Sequence, residues 1–351
     1  MSKRKLTQRQ SRRITKMQEQ RRHRAESETD VEDDGTLGPE QHGLVIAHFG
    51  TQVLVEGLGQ GVADGLSTIG GIRADQSERE QQRCHLRANL DSIATGDTVV
   101  WRPGEDLGVI VARQPRRSSL KRPDSFGGLK PIAANVDQII VVVAPRPEPH
   151  ANLIDRYLVA AECSGIEPIL LLNKSDLLTA ETRCEIDAML EPYHELDYQV
   201  LEASSKQQHG MVALRSALSG RASVFVGQSG VGKSSLVNAL LPQQEARVGA
   251  LSEGKDKGTH TTTTAHWYHL PNGAAIIDSP GIREFGLWHM ERQELEQGFR
   301  EFRPFLGHCK FRDCQHISEP GCALLMAVER GDVHPQRMIS YRRMVDEQRG
   351  D

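Results

Sequence analysis

Apolar and polar residues alternate in short runs between Gly43 and Arg113, with glycine, aspartate and proline between the runs. A period of two is typical of strands that bury one face. The runs cover residues 44–49, 52–55, 84–90, 98–101 and 109–112. Five short strands in so small a segment predict a barrel of the oligonucleotide-binding (OB) type, although a fold alone does not establish a function.

After Asn135 the pattern changes to continuous apolar runs that alternate with helical spacing. The runs cover residues 138–143, 168–172, 199–202, 223–226 and 274–277. Strands that are apolar throughout are buried on both faces, as in a parallel sheet covered by helices. The pattern therefore predicts a mostly parallel α/β sheet, followed after Phe285 by a helical region.

The composition narrows the class of protein. Apolar residues make up 38% of the 351 residues and charged residues 26%, which excludes a membrane protein and a wholly disordered chain. The longest apolar runs, residues 139–144 and 169–172, are far shorter than the roughly 20 residues of a membrane helix. Residues 1–25 lack the apolar block of a secretory signal. We therefore expect a cytoplasmic protein outside the membrane, with more than one domain.

Charge is unevenly distributed near the N-terminus. Residues 1–25 contain ten lysines and arginines and one acid, whereas residues 26–40 contain seven acids and no lysine or arginine. Such blocks resist burial and predict a disordered tail over residues 1–40. The basic half either contacts nucleic-acid phosphates or is only solvated, and charge alone leaves both open. A second basic segment, residues 113–130, is interpreted as an exposed linker or a phosphate-facing loop.

Residues 227–234 match the phosphate-loop pattern G-x-x-x-x-G-K-[ST], between a predicted strand and a helical run. Glycines let backbone N–H groups turn toward a phosphate, Lys233 can reach the β and γ oxygens, and Ser234 can ligate Mg²⁺. A glycine-rich turn without a ligand is the alternative. The residues assigned to nucleotide binding are Gly227, Gln228, Ser229, Gly230, Val231, Gly232, Lys233, Ser234 and Ser235.

A second motif, Asn-Lys-Ser-Asp at residues 173–176, follows a predicted buried strand, where α/β proteins bind ligands. The Asp176 carboxylate can accept the ring N–H and the exocyclic amine of guanine, a pair of donors that adenine lacks. Alone, the motif could be a polar turn with a helix cap. Beside a phosphate loop, it favours guanine recognition by Asn173, Lys174 and Asp176. A weaker pattern assigns the loop that closes over the base to Ser204, Ser205 and Lys206.

Residues 278–281 match the D-x-x-G element, in which Asp278 can hold Mg²⁺ through water and the N–H of Gly281 can sense a γ-phosphate. The preceding loop of threonines is suited to supply a Mg²⁺ ligand, with Thr262 favoured and Thr261 next. A β-branched strand also explains these threonines, but not their place in the order of motifs.

Ile282 stands where many GTPases carry a glutamine that orients the attacking water. An aliphatic side chain cannot orient water, so either another group acts or hydrolysis is slow. His260, within the threonine loop, is the candidate for this role. A surface histidine without a role is the alternative.

The motifs occur in an unusual order. The base-recognition segments at 173 and 204 precede the phosphate loop, the threonines and Asp278, which reverses the usual GTPase sequence. A circular permutation explains this order, because it keeps the sheet while moving the chain ends. An ATP-dependent P-loop enzyme is an alternative that residues 173–176 disfavour.

Three of the six cysteines lie close together in the sequence with one histidine. In a reducing compartment such crowding indicates a metal rather than disulfides. Three thiolates and one imidazole form a closed structural Zn²⁺ site. A pocket of buried cysteines with an incidental histidine is the alternative. The predicted ligands are Cys309, Cys314, His316 and Cys322, and the nearby basic residues are Arg300, Arg303, Lys310 and Arg312.

The barrel, the permuted motifs and the Cys/His set together resemble the ribosome small-subunit-dependent GTPase A family (RsgA, also called YjeQ). Residues 130–135, 227–235 and 278–286 look like the same family. The resemblance covers nearly the whole chain and implies a GTPase that acts late in maturation of the small ribosomal subunit, stimulated by that particle. In the family, the histidine before the switch threonines is implicated in hydrolysis, which favours His260. Thr259 and the length of segment 57–82 depart from the family pattern.

The expected architecture is multidomain α/β: an N-terminal OB-like β-barrel, a circularly permuted P-loop GTPase domain with a mostly parallel sheet, and a C-terminal helical zinc-binding domain. The expected boundaries are a tail at 1–40, the barrel at 41–115, the GTPase domain at 116–285 and the zinc domain at 286–351.

The expected function is hydrolysis of GTP in maturation of the small ribosomal subunit, with that subunit and its ribosomal RNA as partners of a monomer. The expected cofactors are GTP or GDP, Mg²⁺ held by Ser234 and Thr262, and one Zn²⁺. The expected catalytic residues are Lys233, Thr262 and His260. The alternative is an RNA-binding assembly factor in which GTP acts mainly as a conformational switch and turnover is incidental.

Overall fold

The computed structural model describes residues 37–58, 80–86, 90, 92–123, 128–207, 209–241, 265–278 and 290–349. The segment predicted as a tail lies outside these ranges except for its last four residues. Most of the glycine-rich segment 57–82 also lies outside them.

The N-terminal unit is the predicted five-stranded barrel. Its strands are β1 (Gln41–His48), β2 (Gln52–Gly57), β3 (Gln81–Leu86), β4 (Thr98–Arg102) and β5 (Gly108–Arg113). They pair in the order β1-β2-β3-β5-β4, and β4 pairs back to β1, which closes the barrel. Alternate residues such as Val45, Val53 and Trp101 fill the interior, as the period of two predicts. The expected barrel is therefore confirmed.

A hairpin follows the barrel, formed by β6 (Ser119–Pro123) and β7 (Leu129–Ala134). The interpretation of residues 113–130 as a linker or loop missed β6, and the sequence pattern did not predict β7 either. Leu120 is buried there among basic neighbours that hide the alternation. Two of these neighbours are paired with acids: Arg116 contacts Asp97 at 2.6 Å and Arg117 contacts Asp137 at 2.7 Å.

The central unit is a mixed sheet that contains all five predicted strands. It consists of β8 (Gln138–Val143), β9 (Glu167–Leu172), β10 (Gln199–Glu202), β11 (Ala222–Val226), β12 (His266–His269) and β13 (Ala275–Asp278). The order is β10-β9-β8-β11-β13-β12, and β12 is antiparallel to β13. The sequence pattern missed β12, because Trp267 is its one buried residue.

Helices cover both faces of this sheet. They are α1 (Ala151–Cys163), α2 (Ala180–Glu195), α3 (Met211–Leu218), α4 (Lys233–Leu240), α5 (Arg292–Gly298), α6 (Ala323–Arg330) and α7 (Pro335–Arg349). In β8, Val141 and its alternate neighbours pack in the cluster that contains α1 and α7. Ile140 and Val142 pack in the cluster that contains α3 and α4. Burial on both sides explains the continuous apolar run that marked this strand.

The barrel and the central sheet are joined edge to edge. Ala47 of β1 pairs with His266 of β12, so eleven strands form one continuous sheet. The buried Thr95 hydroxyl donates to the carbonyl oxygen of Ala265, 3.0 Å away. The carboxylate of Glu56 lies 3.0 Å from Nε2 of His269. The strand between the threonine loop and Asp278 is therefore attached to the barrel.

The C-terminal helices pack against the central unit through α1. Arg337 of α7 is 1% exposed and contacts Asp155 of α1 and Glu301, each at 2.6 Å. Its guanidinium also lies 4.6 Å from the ring centre of Phe299. Within the described ranges, the helices are too short or too polar to cross a membrane.

Candidate functional site

The predicted nucleotide motifs lie at the carboxyl ends of adjacent strands. Ser204 follows β10, Asn173 follows β9, the phosphate loop follows β11, and Asp278 ends β13. These strands and β8 run parallel to one another. Motifs that are far apart in sequence therefore meet at one edge of the sheet, where α/β folds bind ligands.

Glycines shape the phosphate loop between β11 and α4. Gly227, Gly230 and Gly232 have φ angles of +136°, +82° and +96°, a region that side chains disfavour. A Cβ on Gly227 would lie 2.2 Å from the carbonyl oxygen of Val142, and one on Gly232 would lie 2.4 Å from Asn173 Nδ2. Both the backbone conformation and the close neighbours therefore require glycine.

Lys233 opens α4 and folds back over the phosphate loop. Its Nζ donates to the carbonyl oxygens of Gly227 and Gln228, each 2.7 Å away. This places a positive charge across the loop, beside the start of a helix whose first N–H groups lack intrahelical partners. Ser234 and Ser235 follow and are exposed. The arrangement suits a phosphate with a metal ion beside it.

The guanine motif is bonded directly to the phosphate loop. The buried Asn173 donates from Nδ2 to the carbonyl oxygen of Val231, 2.8 Å away. Lys174, whose φ is +57°, donates from Nζ to the carbonyl oxygens of Gly230 at 2.6 Å and Arg146 at 2.9 Å. The two predicted motifs therefore form one structural unit.

The third loop holds the carboxylate of the guanine motif. The buried Ser204 donates its hydroxyl to Oδ1 of Asp176 over 2.6 Å, and the N–H of Gln207 donates to the same hydroxyl over 3.2 Å. The N–H of Ser175 donates to the carbonyl oxygen of Ala203 over 3.3 Å. Asp176 thus has a fixed orientation beside this loop, whose Ser205 is half-buried and whose Lys206 is exposed.

The remaining predicted residues are only partly described. Asp278 pairs in register with His266 of β12. Burial lowers the pKa of His266, while the charge of Asp278 acts in the opposite sense. Gly281, His260, Thr262 and the alternative Thr261 lie outside the described residues.

The Cys/His set of the C-terminal unit forms one cluster. One ligand atom from each of Cys309, Cys314, His316 and Cys322 lies within 4.8 Å of the others. His316 Nδ1 is 3.2 Å from Cys322 Sγ and 3.5 Å from Cys309 Sγ. A tetrahedral zinc site separates its ligand atoms by roughly 3.4–3.8 Å. The donor set and its spacing therefore fit a metal ion of this type.

The loop that carries His316 is held in shape by Glu319. His316 has a left-handed φ of +56°. The Glu319 carboxylate accepts from the backbone N–H groups of Gln315, Ile317 and Ser318 at 2.7, 2.8 and 3.0 Å. These bonds, that of Gln315 first, lower the pKa of Glu319 to about 2. The ring of His316 is thus directed into the cluster by a local, charge-assisted set of bonds.

Sequence reasoning missed several residues around these sites. The sequence predicts that Lys174 helps to recognise the guanine base, but it does not predict the hydrogen bond from Lys174 to the phosphate loop. Neither Glu296, 3.5 Å from His316 Nε2, nor Arg292, which donates to the carbonyl oxygen of Cys314, was identified. One signal was available for Glu296, because a metal-binding histidine usually donates its second ring N–H to a carboxylate, a backbone carbonyl or water. The sequence does not indicate which of these acceptors, or which of the many glutamates, faces His316.

A permuted order of GTPase motifs at one edge of a parallel sheet, with a closed barrel on one side and a Cys/His unit on the other, defines a circularly permuted GTPase. A family model described as RsgA GTPase matches residues 113–288. The chain belongs to this family and is a GTP hydrolase. The sequence-based expectations of fold class, family and enzyme class are confirmed.

Close relatives cover nearly the whole chain. The small ribosomal subunit biogenesis GTPase RsgA of Azotobacter vinelandii is 58% identical over 98% of each chain, and that of Pseudomonas aeruginosa strain LESB58 is also 58% identical over 98% of each. Among solved structures, YjeQ from Thermotoga maritima has a TM-score of 0.69 and 31% identity, covering 89% of this chain and 100% of that one. YloQ, a circularly permuted GTPase, has a TM-score of 0.65 and 26% identity, covering 91% and 97%.

Proposed function

We propose that this GTPase acts in late maturation of the small ribosomal subunit, where it binds GTP and GDP with Mg²⁺ and hydrolyses GTP when the subunit stimulates it. Full-length relatives named for biogenesis of that subunit support the partner. The observation that best supports a guanine-nucleotide site is that Asn173 and Lys174 donate hydrogen bonds to the phosphate loop. A guanine held at Asp176 would then lie beside a phosphate chain held at Lys233. We further propose that the protein works in the cytoplasm as a monomer.

The proposed site uses the chain's own groups in distinct roles. Asn173 and Lys174 hold the guanine motif against the phosphate loop. Asp176 selects guanine, and residues 204–206 close over the base. The backbone of residues 227–235 surrounds the phosphates, and Lys233 stabilises charge on the transferred phosphoryl group. Ser234, Thr262 and, through water, Asp278 would hold Mg²⁺, which supplies charge neutralisation when bound.

Hydrolysis needs a positioned water. Gly281 would sense the γ-phosphate through its N–H, and Ile282 offers no polar group to orient the attacking water. We assign that positioning to His260. A ribosomal subunit that binds the threonine loop could control the placement of His260. This role of His260 therefore agrees with activation by the subunit.

The Cys/His cluster is proposed as a structural zinc site. Cys309, Cys314, His316 and Cys322 would occupy all four positions of a tetrahedral ion, so zinc would hold the fold and leave no site for substrate. Stoichiometric metal in the purified protein is expected, and its absence would contradict the assignment. The proposed domains are the barrel at 41–115, the GTPase at 116–285 and the zinc domain at 286–351.

The central test is single-turnover hydrolysis of GTP with small subunits, large subunits or free ribosomal RNA. Strong stimulation by small subunits alone is expected. No stimulation would favour the second candidate, an RNA-binding factor in which GTP sets the conformation and turnover is incidental. Ile282 is the observation that favours this second candidate. Competition of GTP against ATP in an equilibrium assay checks the choice of base.

A further inference from the structure

The two ring nitrogens of His316 face different partners. Nδ1 points to the cysteine sulfurs at 3.2 and 3.5 Å, whereas Nε2 lies 3.5 Å from Oε1 of Glu296. The imidazole is 7% exposed, so its orientation is set by these neighbours rather than by solvent. A neutral imidazole that binds a metal through one nitrogen carries its proton on the other. The geometry directs the metal to Nδ1 and the proton toward Glu296.

Glu296 is itself fixed by two donors. The Tyr341 hydroxyl donates to Oε1 over 2.7 Å, and Nε of Arg292 donates to the same oxygen over 2.8 Å. Arg292 also donates to the Tyr341 hydroxyl over 2.9 Å. The Glu296 side chain is 13% exposed. Rotating this carboxylate away would leave the hydroxyl of Tyr341, a residue that is 1% exposed, without its acceptor, so the network keeps the carboxylate in place.

The same network reaches the backbone of the metal-binding loop. Nη2 of Arg292 donates to the carbonyl oxygen of Cys314 over 3.2 Å, and Nη1 donates to the side chain of Gln315. Arg342 of α7 donates to the carbonyl oxygens of His316 and Ile317. Helices α5 and α7 therefore hold the loop from outside the cluster.

We propose that Glu296 is the positioning residue of the metal cluster: it accepts the Nε2 proton of His316, fixes Nδ1 as the ligand atom and ties the metal-binding loop to α5. The inference rests on the zinc site of the proposed function. Within the described part of the chain, Glu296 is the acidic side chain that lies within ion-pair distance of His316. A carboxylate at this position increases the basicity of the ligand nitrogen and restricts rotation of the ring.

The test measures Zn²⁺ affinity of the full chain by competition with a chromophoric chelator. Glu296→Ala is expected to weaken Zn²⁺ binding by about 10- to 100-fold. Glu296→Gln keeps an acceptor oxygen but not the charge, so it should restore part of the lost affinity. Glu294→Gln is the matched control on the same helix, because Glu294 accepts from the N–H of Glu291 and not from the cluster. This control should bind Zn²⁺ as the wild-type chain does.

A second measurement needs no variant. Nitrogen-15 shifts of the zinc-loaded wild-type protein should show His316 protonated at Nε2 and metal-bound at Nδ1. The opposite assignment, or equal Zn²⁺ affinity of wild type and Glu296→Ala, would overturn this inference while leaving the zinc site intact. A wild-type chain that binds no zinc would overturn both.

Discussion

At the scale of single residues, the site depends on bonds between loops rather than on isolated side chains. Ser204 orients Asp176, and Asn173 and Lys174 bond to carbonyl oxygens of the phosphate loop. Recognition of the base and binding of the phosphates are therefore coupled, because movement of the guanine motif would displace the phosphate loop.

Asp176→Asn should shift the nucleotide preference from guanine toward xanthine. The amide presents a donor where the guanine amine needs an acceptor, whereas xanthine carries an oxygen at that position. An unmatched buried polar group costs about 1–3 kcal/mol, so GDP should bind roughly 10- to 100-fold more weakly. Equilibrium binding of GDP and xanthosine diphosphate checks this. Asp187→Asn, on an exposed part of α2, is the control, and unchanged GDP selectivity in Asp176→Asn would refute the assignment.

Lys233→Ala should remove most nucleotide affinity or turnover. The ammonium is the positive group that bridges the two carbonyl oxygens of the phosphate loop, and hydrogen bonds to charged groups contribute about 1.5–3 kcal/mol each. Binding of a fluorescent GDP analogue and GTP turnover are both measured. Lys121→Ala in the hairpin serves as the control. Wild-type values of both quantities in Lys233→Ala would exclude this phosphate site.

At the scale of elements, the buried cation Arg337 links the last helix to the central unit. Arg337 joins α7 to α1 through Asp155, and to the segment after α5 through Glu301. The hydroxyl of Tyr193 on α2 also donates to Asp155, over 2.7 Å. Four segments of the chain thus meet at one network, and its acids lie too far apart in sequence to have been recognised as partners.

Arg337→Ala should destabilise the docking of α7. Removing one partner of a buried ion pair leaves uncompensated charge and costs about 3–5 kcal/mol. Native-state hydrogen exchange of α7 amides gives this free energy. Arg156→Ala is the matched control, because Arg156 pairs with Glu347 between the same two helices at a surface where both side chains are well exposed. There the expected loss is below about 1 kcal/mol, and equal effects of the two variants would contradict the role of Arg337.

The sequence predicted the elements whose patterns are set by burial on one or two faces. The five barrel strands and the five parallel strands all belong to this group. It did not predict β12, in which Trp267 alone is buried, or the hairpin of β6 and β7, in which basic residues surround Leu120. For the site, motif spacing gave the residue types. The hydrogen bond from Lys174 to Gly230 and the 3.5 Å contact between Glu296 and His316 depend on the tertiary fold and leave no local pattern.

At the scale of the whole molecule, the central sheet connects the nucleotide site to both flanking units. On one side, β12 pairs with β1 of the barrel. On the other side, the chain runs from Asp278 through Gly281 to α5. There the thiol of Cys163, on α1, donates a hydrogen bond to the backbone carbonyl oxygen of Glu294. A conformational change beside the bound phosphates can therefore reach the metal cluster along the polypeptide chain.

Hydrogen exchange should differ between the GDP-bound and GTP-analogue-bound protein in residues 290–298. This expectation follows from the short chain distance between Gly281 and α5 and from the two-state behaviour of such switch segments. Mass spectrometry of the full chain measures it, with α2 as the internal reference. Identical exchange in residues after Phe285 with both nucleotides would rule out coupling to the C-terminal unit.

The pairing of β1 with β12 also affects how the molecule can be divided. A truncated chain that starts after the barrel would leave β12 as an outer strand. On the side that faced β1, no other described strand pairs with its backbone N–H and C=O groups. Such strands recruit other strands, so the excised GTPase unit would tend to self-associate. The barrel is thus also a cap that keeps the nucleotide-binding sheet from extending into its neighbours.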